Sequence, residues 1–135
     1  MTLARTSPGV ALQRKIYERL AATITDISTY DSVPQGQPMP YIIIGEDFGT
    51  RDDTKDITGE IASVTIHAWS DKKGKKQVKE MTARIEAAIF SSNVDLSGDG
   101  FTCLETALEE KQHFIDEDGK TNHGVIKISF KIQTN

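Results

Sequence analysis

Pro40-Tyr41-Ile42-Ile43-Ile44-Gly45-Glu46 and Glu60-Ile61-Ala62-Ser63-Val64-Thr65-Ile66-His67-Ala68-Trp69-Ser70 are the two stretches from which the fold is read. The first is a near-continuous β-branched run, the pattern of a strand covered on both faces. The second alternates. Ala62, Val64, Ile66 and Ala68 share one face, while Ile61, Ser63, Thr65, His67 and Trp69 share the other. A strand with one face in a core and one outside it carries that period of two. The outer set holds a large aromatic, a reason to expect cover from outside the monomer. Between the two runs, residues 47–56 are polar and read as a long, exposed, mobile loop, with Asp52, Asp53 and Asp56 among its acids.

Upstream, Leu12, Ile16, Leu20 and Ile24 recur every four residues with Tyr17 beside them. This predicts an amphipathic helix over residues 8–23, with Ser7 placed to cap and Pro8 suited to the first turn. Three prolines and a glycine in residues 34–40 forbid regular structure there, and a short extended piece at residues 29–33 is placed to pair at a sheet edge. Downstream, Val78, Met81, Ile85, Ala88 and Ile89 predict a second helix over residues 75–90. Strands follow at 101–114, with Thr102, Leu104, Thr106 and Leu108 on one face, and at 123–133. In the last strand Gly124, Ile126, Ile128, Phe130 and Ile132 face in. Asp118-Gly119 is the hairpin signal between them. The reading is an α+β domain: an antiparallel sheet of about four strands with two helices packed on one face.

The 135 residues fit one domain, with net charge −4, a pI near 5.3 and a single cysteine. That balance gives no overall attraction for nucleic acid. One cysteine excludes an intrachain disulfide. Met1-Thr2-Leu3-Ala4-Arg5-Thr6 has no apolar signal core, and no run approaches the roughly 18 apolar residues of a membrane span. The expectation is a protein made in the cytosol.

Little in the chain is chemical. Asp95-Leu96-Ser97-Gly98-Asp99-Gly100 begins like a calcium loop, but its twelfth position is Thr106 rather than an acid. Asp47-Phe48-Gly49 matches a kinase tripeptide without the other kinase motifs. His67, His113, His123 and Cys103 have no zinc spacing. His113 and His123 flank the hairpin turn and could be cross-strand neighbours, and Cys103 reads as a buried small hydrophobe or a half-exposed strand residue. No catalytic residue, cofactor or metal site is expected. Lys72, Lys73, Lys75, Lys76 and Lys79 crowd the start of the second helix, the positive end of its dipole, where each exposed cation costs roughly 0.3–1 kcal/mol. The cluster is either a solvated turn or a contact for an acidic surface.

Several segments in order resemble the bacteriophage tail-terminator family, also called tail-completion or head-to-tail joining proteins. They are Leu12, Ile16-Tyr17 and Leu20 in the first helix, Tyr30-Asp31-Ser32-Val33-Pro34, residues 40–46, Asp53-Thr54 with Gly59, Ala68-Trp69-Ser70 before Gly74, and residues 116–124 at the last hairpin. The resemblance implies a structural protein without an active site. It also implies a ring, typically of six copies, on the head-proximal end of the tail tube. The implied partners are further copies, the tail-tube protein and a head-completion or neck protein, with no membrane, and assembly takes place in the host cytoplasm. DNA would pass through the lumen without specific binding, and six copies at −4 would make a ring of roughly −24. A head-to-tail ring needs two unlike patches, and Lys72, Lys73, Lys75 and Lys76 facing Asp52, Asp53 and Asp56, or residues 109–118, of the next copy would supply them, with Trp69 nearby. The alternatives are a head-closure or neck component of the same particle, or a small cytosolic α+β ligand-binding domain or enzyme using the histidines.

Overall fold

The computed structural model describes residues 7–135, so the reading of residues 1–6 lies outside the described residues. The chain runs α1 (Gly9–Thr23), β1 (Ser28–Tyr30), β2 (Tyr41–Arg51), β3 (Gly59–Ser70), α2 (Lys76–Ile89), β4 (Phe101–Ile115) and β5 (Asn122–Thr134). The strands form one sheet in the order β1-β2-β3-β5-β4. Both helices pack on one face, as the one-sided alternation requires.

The stripe of α1 is buried as spaced: Leu12, Ile16, Leu20 and, just past the helix, Ile24 are at most 2% exposed. Val78, Met81, Ile85 and Ile89 of α2 complete the helical half of the core. Beneath them the sheet presents Ile42 and Ile44, the four inward residues of β3, and Ile126, Ile128, Phe130 and Ile132. The register sets Ala62 opposite the large Phe130, and Ala68 opposite Gly124 where both residues are small. Gly124 lies where α2 comes closest: a Cβ there would stand 2.7 Å from Thr82 Cγ2 and 2.9 Å from Val78 Cγ2.

The sheet departs from the sequence reading in three places. It has five strands rather than four, because the extended piece before the prolines forms β1. That strand pairs parallel to β2, Ser28 with Tyr41 through Tyr30 with Ile43, so the sheet is mixed rather than antiparallel. Second, β2 does not end at Glu46. It bulges between Ile44 and Asp47 and then runs on, with Asp47 through Arg51 pairing Val64 through Glu60. The expected loop at residues 47–56 is thereby half strand, and its remainder is tied down. The Asp52 amide donates to Gly59 O (2.9 Å), Thr54 N to Ile57 O (2.8 Å) and Gly59 N to Asp53 Oδ1 (3.0 Å). Third, β4 carries two bulges, at Cys103/Glu105 and Leu108/Glu110, so its facing does not follow one simple alternation. Phe101 and Cys103 are buried while Thr102 and Leu104 are exposed.

The hairpin turn falls where Asp118-Gly119 marks it, as the six-residue connection 116–121 between β4 and β5. Gly119 adopts φ +70°. The Asp118 carboxylate accepts from the Thr121 hydroxyl and the amides of Thr121 and Lys120, which hold its pKa down at about 2. Among the described residues no helix is long and apolar enough to cross a membrane.

Candidate interaction surfaces

The lysine corner lies between β3 and α2. Gly74, at φ +84°, makes the turn that a side chain would strain. Three polar groups brace it. Ser70 Oγ accepts from Lys72 N (3.2 Å) and donates to Gln77 Oε1 (2.5 Å), and the Asn122 amide donates to both Lys72 O and Gly74 O (2.9 Å each). Lys72, Lys73, Lys75 and Lys76 all stand exposed on this fixed backbone. Lys76 reaches Glu80 at 3.9 Å; among the described residues, no carboxylate lies within 4 Å of the other three. No acid occupies the first turn of α2. The corner is thus an array of cations on a rigid frame.

The aspartates are placed otherwise. Asp53 pairs with Arg51, and Asp52 lies 3.8 Å from Lys131. Both work within the chain, closing the β2–β3 turn. Asp56 is exposed at its tip. This turn and the lysine corner sit at opposite ends of β3, whose 12 residues span about 36–40 Å. Within one chain, the structure does not bring the two predicted patches together. The acids at 116–118, in contrast, share the lysine end, where Lys73, Gly74, Ile115 and Lys120 line one shallow groove.

Trp69 is half-buried on the sheet face away from the helices and is covered partly from within. Its ring stacks on His123 at 3.7 Å and 14°, with Phe114 edge-on to the same imidazole at 4.7 Å. His123 Nε2 lies 2.7 Å from His67 Nδ1, and His67 Nε2 lies 2.5 Å from Glu46 Oε1. One of these two imidazole nitrogens donates and the other accepts. Burial lowers the His123 pKa, and His67 lowers it further; Asp116 and Glu46 oppose the shift. The hydrogen bond from His67 lowers the Glu46 pKa. The β2 bulge aims Glu46 at His67, and a side chain on Gly45 would collide with that imidazole (2.6 Å).

The sequence reading missed this cluster, having put His123 beside His113. The two lie on opposite faces of the sheet. His113 pairs with Gly124 and turns under α2, 2.7 Å from the Thr82 hydroxyl, while Phe114 is the residue opposite His123. The signal was in the register: His123 opposite Trp69 puts His67 diagonally adjacent.

The remaining groups resolve simply. Asp95 Oδ1 accepts from the amide and hydroxyl of Ser97 (3.0 and 2.6 Å) at the start of a one-turn 3₁₀ helix, Ser97–Asp99. Cys103 is 3% exposed, and burial raises its pKa. Among the described residues no three His, Cys, Asp or Glu are arranged to hold a metal.

Comparison with known proteins extends over nearly the whole domain. The sequence profile of the family described as "Tail completion protein gp17" matches residues 14–133. The tail completion protein gp17 of Bacillus phage SPP1 is 29% identical over 119 residues, which cover 88% of this chain and 85% of that protein. The solved structure of bacteriophage SPP1 gp17 superposes with a TM-score of 0.62 at 26% identity, over 90% of this chain and 88% of that one. A chain in the virion of a native gene transfer agent particle superposes with a TM-score of 0.82, over 96% of this chain and 99% of that one; at 18% identity this likeness concerns the fold.

Proposed function

The chain belongs to the tail completion protein gp17 family, a family of structural phage tail proteins, and from that premise we propose that it closes the head-proximal end of a tail tube as a ring of identical copies and offers the surface to which the finished head attaches. The observation that carries the reading is the family match running from α1 to the end of β5, through every element that builds the domain.

The arrangement of charge supports a protein with two different ends. In a ring whose axis runs along the strands, the lysine corners of all copies form one rim and the β2–β3 turns the other. Unlike rims fit unlike axial partners, the tail-tube protein on one side and a head-completion or neck protein on the other. Lys72, Lys73, Lys75 and Lys76 are the contact groups at one rim and Asp56 at the other. Asp52 and Asp53 hold that second turn in shape, and Trp69 belongs to the sheet face between the rims. A hexameric ring carries a strong net negative charge, which lets DNA traverse its lumen without adhering. Assembly takes place in the host cytoplasm, and the ring remains in the virion tail.

The test is complementation in a particle-producing strain lacking this gene. Loss of the protein is expected to leave full heads and tails unjoined, restored by the wild-type chain and not by a Lys72→Glu, Lys73→Glu, Lys75→Glu, Lys76→Glu quadruple variant. Joined, infectious particles in the deletion strain would overturn the reading. Tails of normal length with heads that leak DNA would assign the protein to head closure instead.

A further inference from the structure

We propose that neighbouring copies join through the two unlike edges of the sheet, the β4 edge of one chain seating in the groove between α1 and β1 of the next. This rests on the reading of the protein as a closed ring, and it names the lateral contact that the reading leaves open.

The strand order makes β1 and β4 the edges. Fifteen residues of β4 pair on one side only, leaving backbone donors and acceptors unmatched on the other. Large apolar side chains stand along it, with Leu104 53% and Ile115 54% exposed. Edges that have to stay apart are short, charged or bulged; this one carries Glu105, Glu109, Glu110, Lys111 and two bulges, yet it is long and keeps apolar groups in water.

The opposite edge offers the complement. Beside the three residues of β1 lies a groove of about 500 Å³, walled by Val10, Tyr17 and Tyr30, with Arg14, Asp31 and Thr29 among its polar groups. Val10 is 80% exposed at its rim. Thr29 is 7% exposed, and its hydroxyl is buried without a hydrogen-bond partner, a state folded proteins seldom leave unfilled. One charge contact is open to this pairing, although Asp31 also lines the groove. Glu105 and Glu110 are exposed on β4 and, among the described residues, lie within 4 Å of no cation, while Arg14 stands at the groove. Arg14 already shares Asp99, so it brings a braced guanidinium rather than a free one.

Pairing of β4 with a second β4 is disfavoured by two features. It would set Glu105, Glu109 and Glu110 of both copies against each other, and the two bulges would break a long ladder. An edge-to-groove contact has neither problem. It needs only a short ladder on β1, with side chains entering the groove. Because the two halves differ, the contact repeats from copy to copy and closes only as a ring.

Site-directed disulfide trapping tests this. In a Cys103→Ala background, one chain carries Val10→Cys and another carries Leu104→Cys or Ile115→Cys; they are mixed and oxidised with copper phenanthroline. Mixed groove–edge dimers are expected to dominate. A chain with both cysteines is expected to give a ladder ending in a closed oligomer, and Glu105→Arg with Glu110→Arg to lower the mixed yield severalfold at low salt while circular dichroism stays unchanged. Edge–edge or groove–groove dimers in equal yield, or no cross-link, would overturn the contact. No cross-link together with successful complementation refutes this contact and leaves the tail-completion reading standing. Mixed dimers with failed complementation support the contact and refute the reading.

Discussion

Replacing Arg19 with methionine is expected to destabilise the domain by about 2–3 kcal/mol. Arg19 projects from α1 to the far end of α2, where Nη1 donates to Ile89 O (2.9 Å) and Ser92 O (2.7 Å) and Nη2 donates to Asn93 O (3.1 Å). The last carbonyls of a helix lack intrahelical partners. Phe90 N and Ser91 N serve Glu86 O and Ala88 O, and Arg19 serves Ile89 O. The bond to Ile89 is partly buried and charge-assisted, worth about 1.5–3 kcal/mol. A cation at the negative end of α2 adds roughly 0.3–1 kcal/mol. The two outer bonds compete with water and add little. Methionine keeps most of the apolar stem, so the loss reports the guanidinium. With an m-value of about 2 kcal/mol/M for a domain of this size, the urea midpoint falls by about 1–1.5 M at unchanged slope. Arg19→Lys keeps the charge but not the fork and is expected to lose about half as much. A midpoint shift worth less than about 0.5 kcal/mol for Arg19→Met would refute the reasoning that this side chain ties the helices together.

Two further outcomes are expected. Gly124→Val crowds Thr82 and Val78 and destabilises by about 1–3 kcal/mol in urea unfolding, whereas Val125→Ala, one residue along and on the open face, changes little; equal effects would contradict the close approach of α2. His123, with its pKa lowered in the folded state, binds protons more readily when unfolded, so its contribution is whole above about pH 6.5 and declines as pH falls. His113 acts with the same sign, and Glu46 only in the carboxylate range. The urea midpoint of wild type is therefore expected to fall between about pH 7.5 and 5.5, and that of His123→Gln to fall less; parallel slopes would refute the role given to His123.

Much of the architecture is legible in the residues because burial here is one-sided. The four-residue stripe of α1 and the alternation of β3 and β5 name their inward residues, and each named residue is buried. Residues 47–51 are different. They are exposed throughout, Phe48 included, so no inward–outward period marks them as strand; only the pairing of Asp47–Arg51 with Glu60–Val64 does. The same dependence on register hid the histidines: His123 meets Trp69 and His67 only once β5 is aligned with β3. Asp52 and Asp53 read as free acids because a turn that uses its own carboxylates has the same composition as an exposed loop. The lysine corner was visible as charge, whereas its bracing by Asn122, some fifty residues away, was not.

That bracing links two parts of the molecule that the chain keeps apart. One carboxamide at the start of β5 holds the backbone beneath the cations, and the same residue pairs with Ile115, where β4 leaves the ladder. A displacement of the hairpin tip therefore also loads the strut that sets the lysines. In the proposed ring, Asn122 is therefore the side chain through which strain at the β4–β5 hairpin would reach the lysine corner.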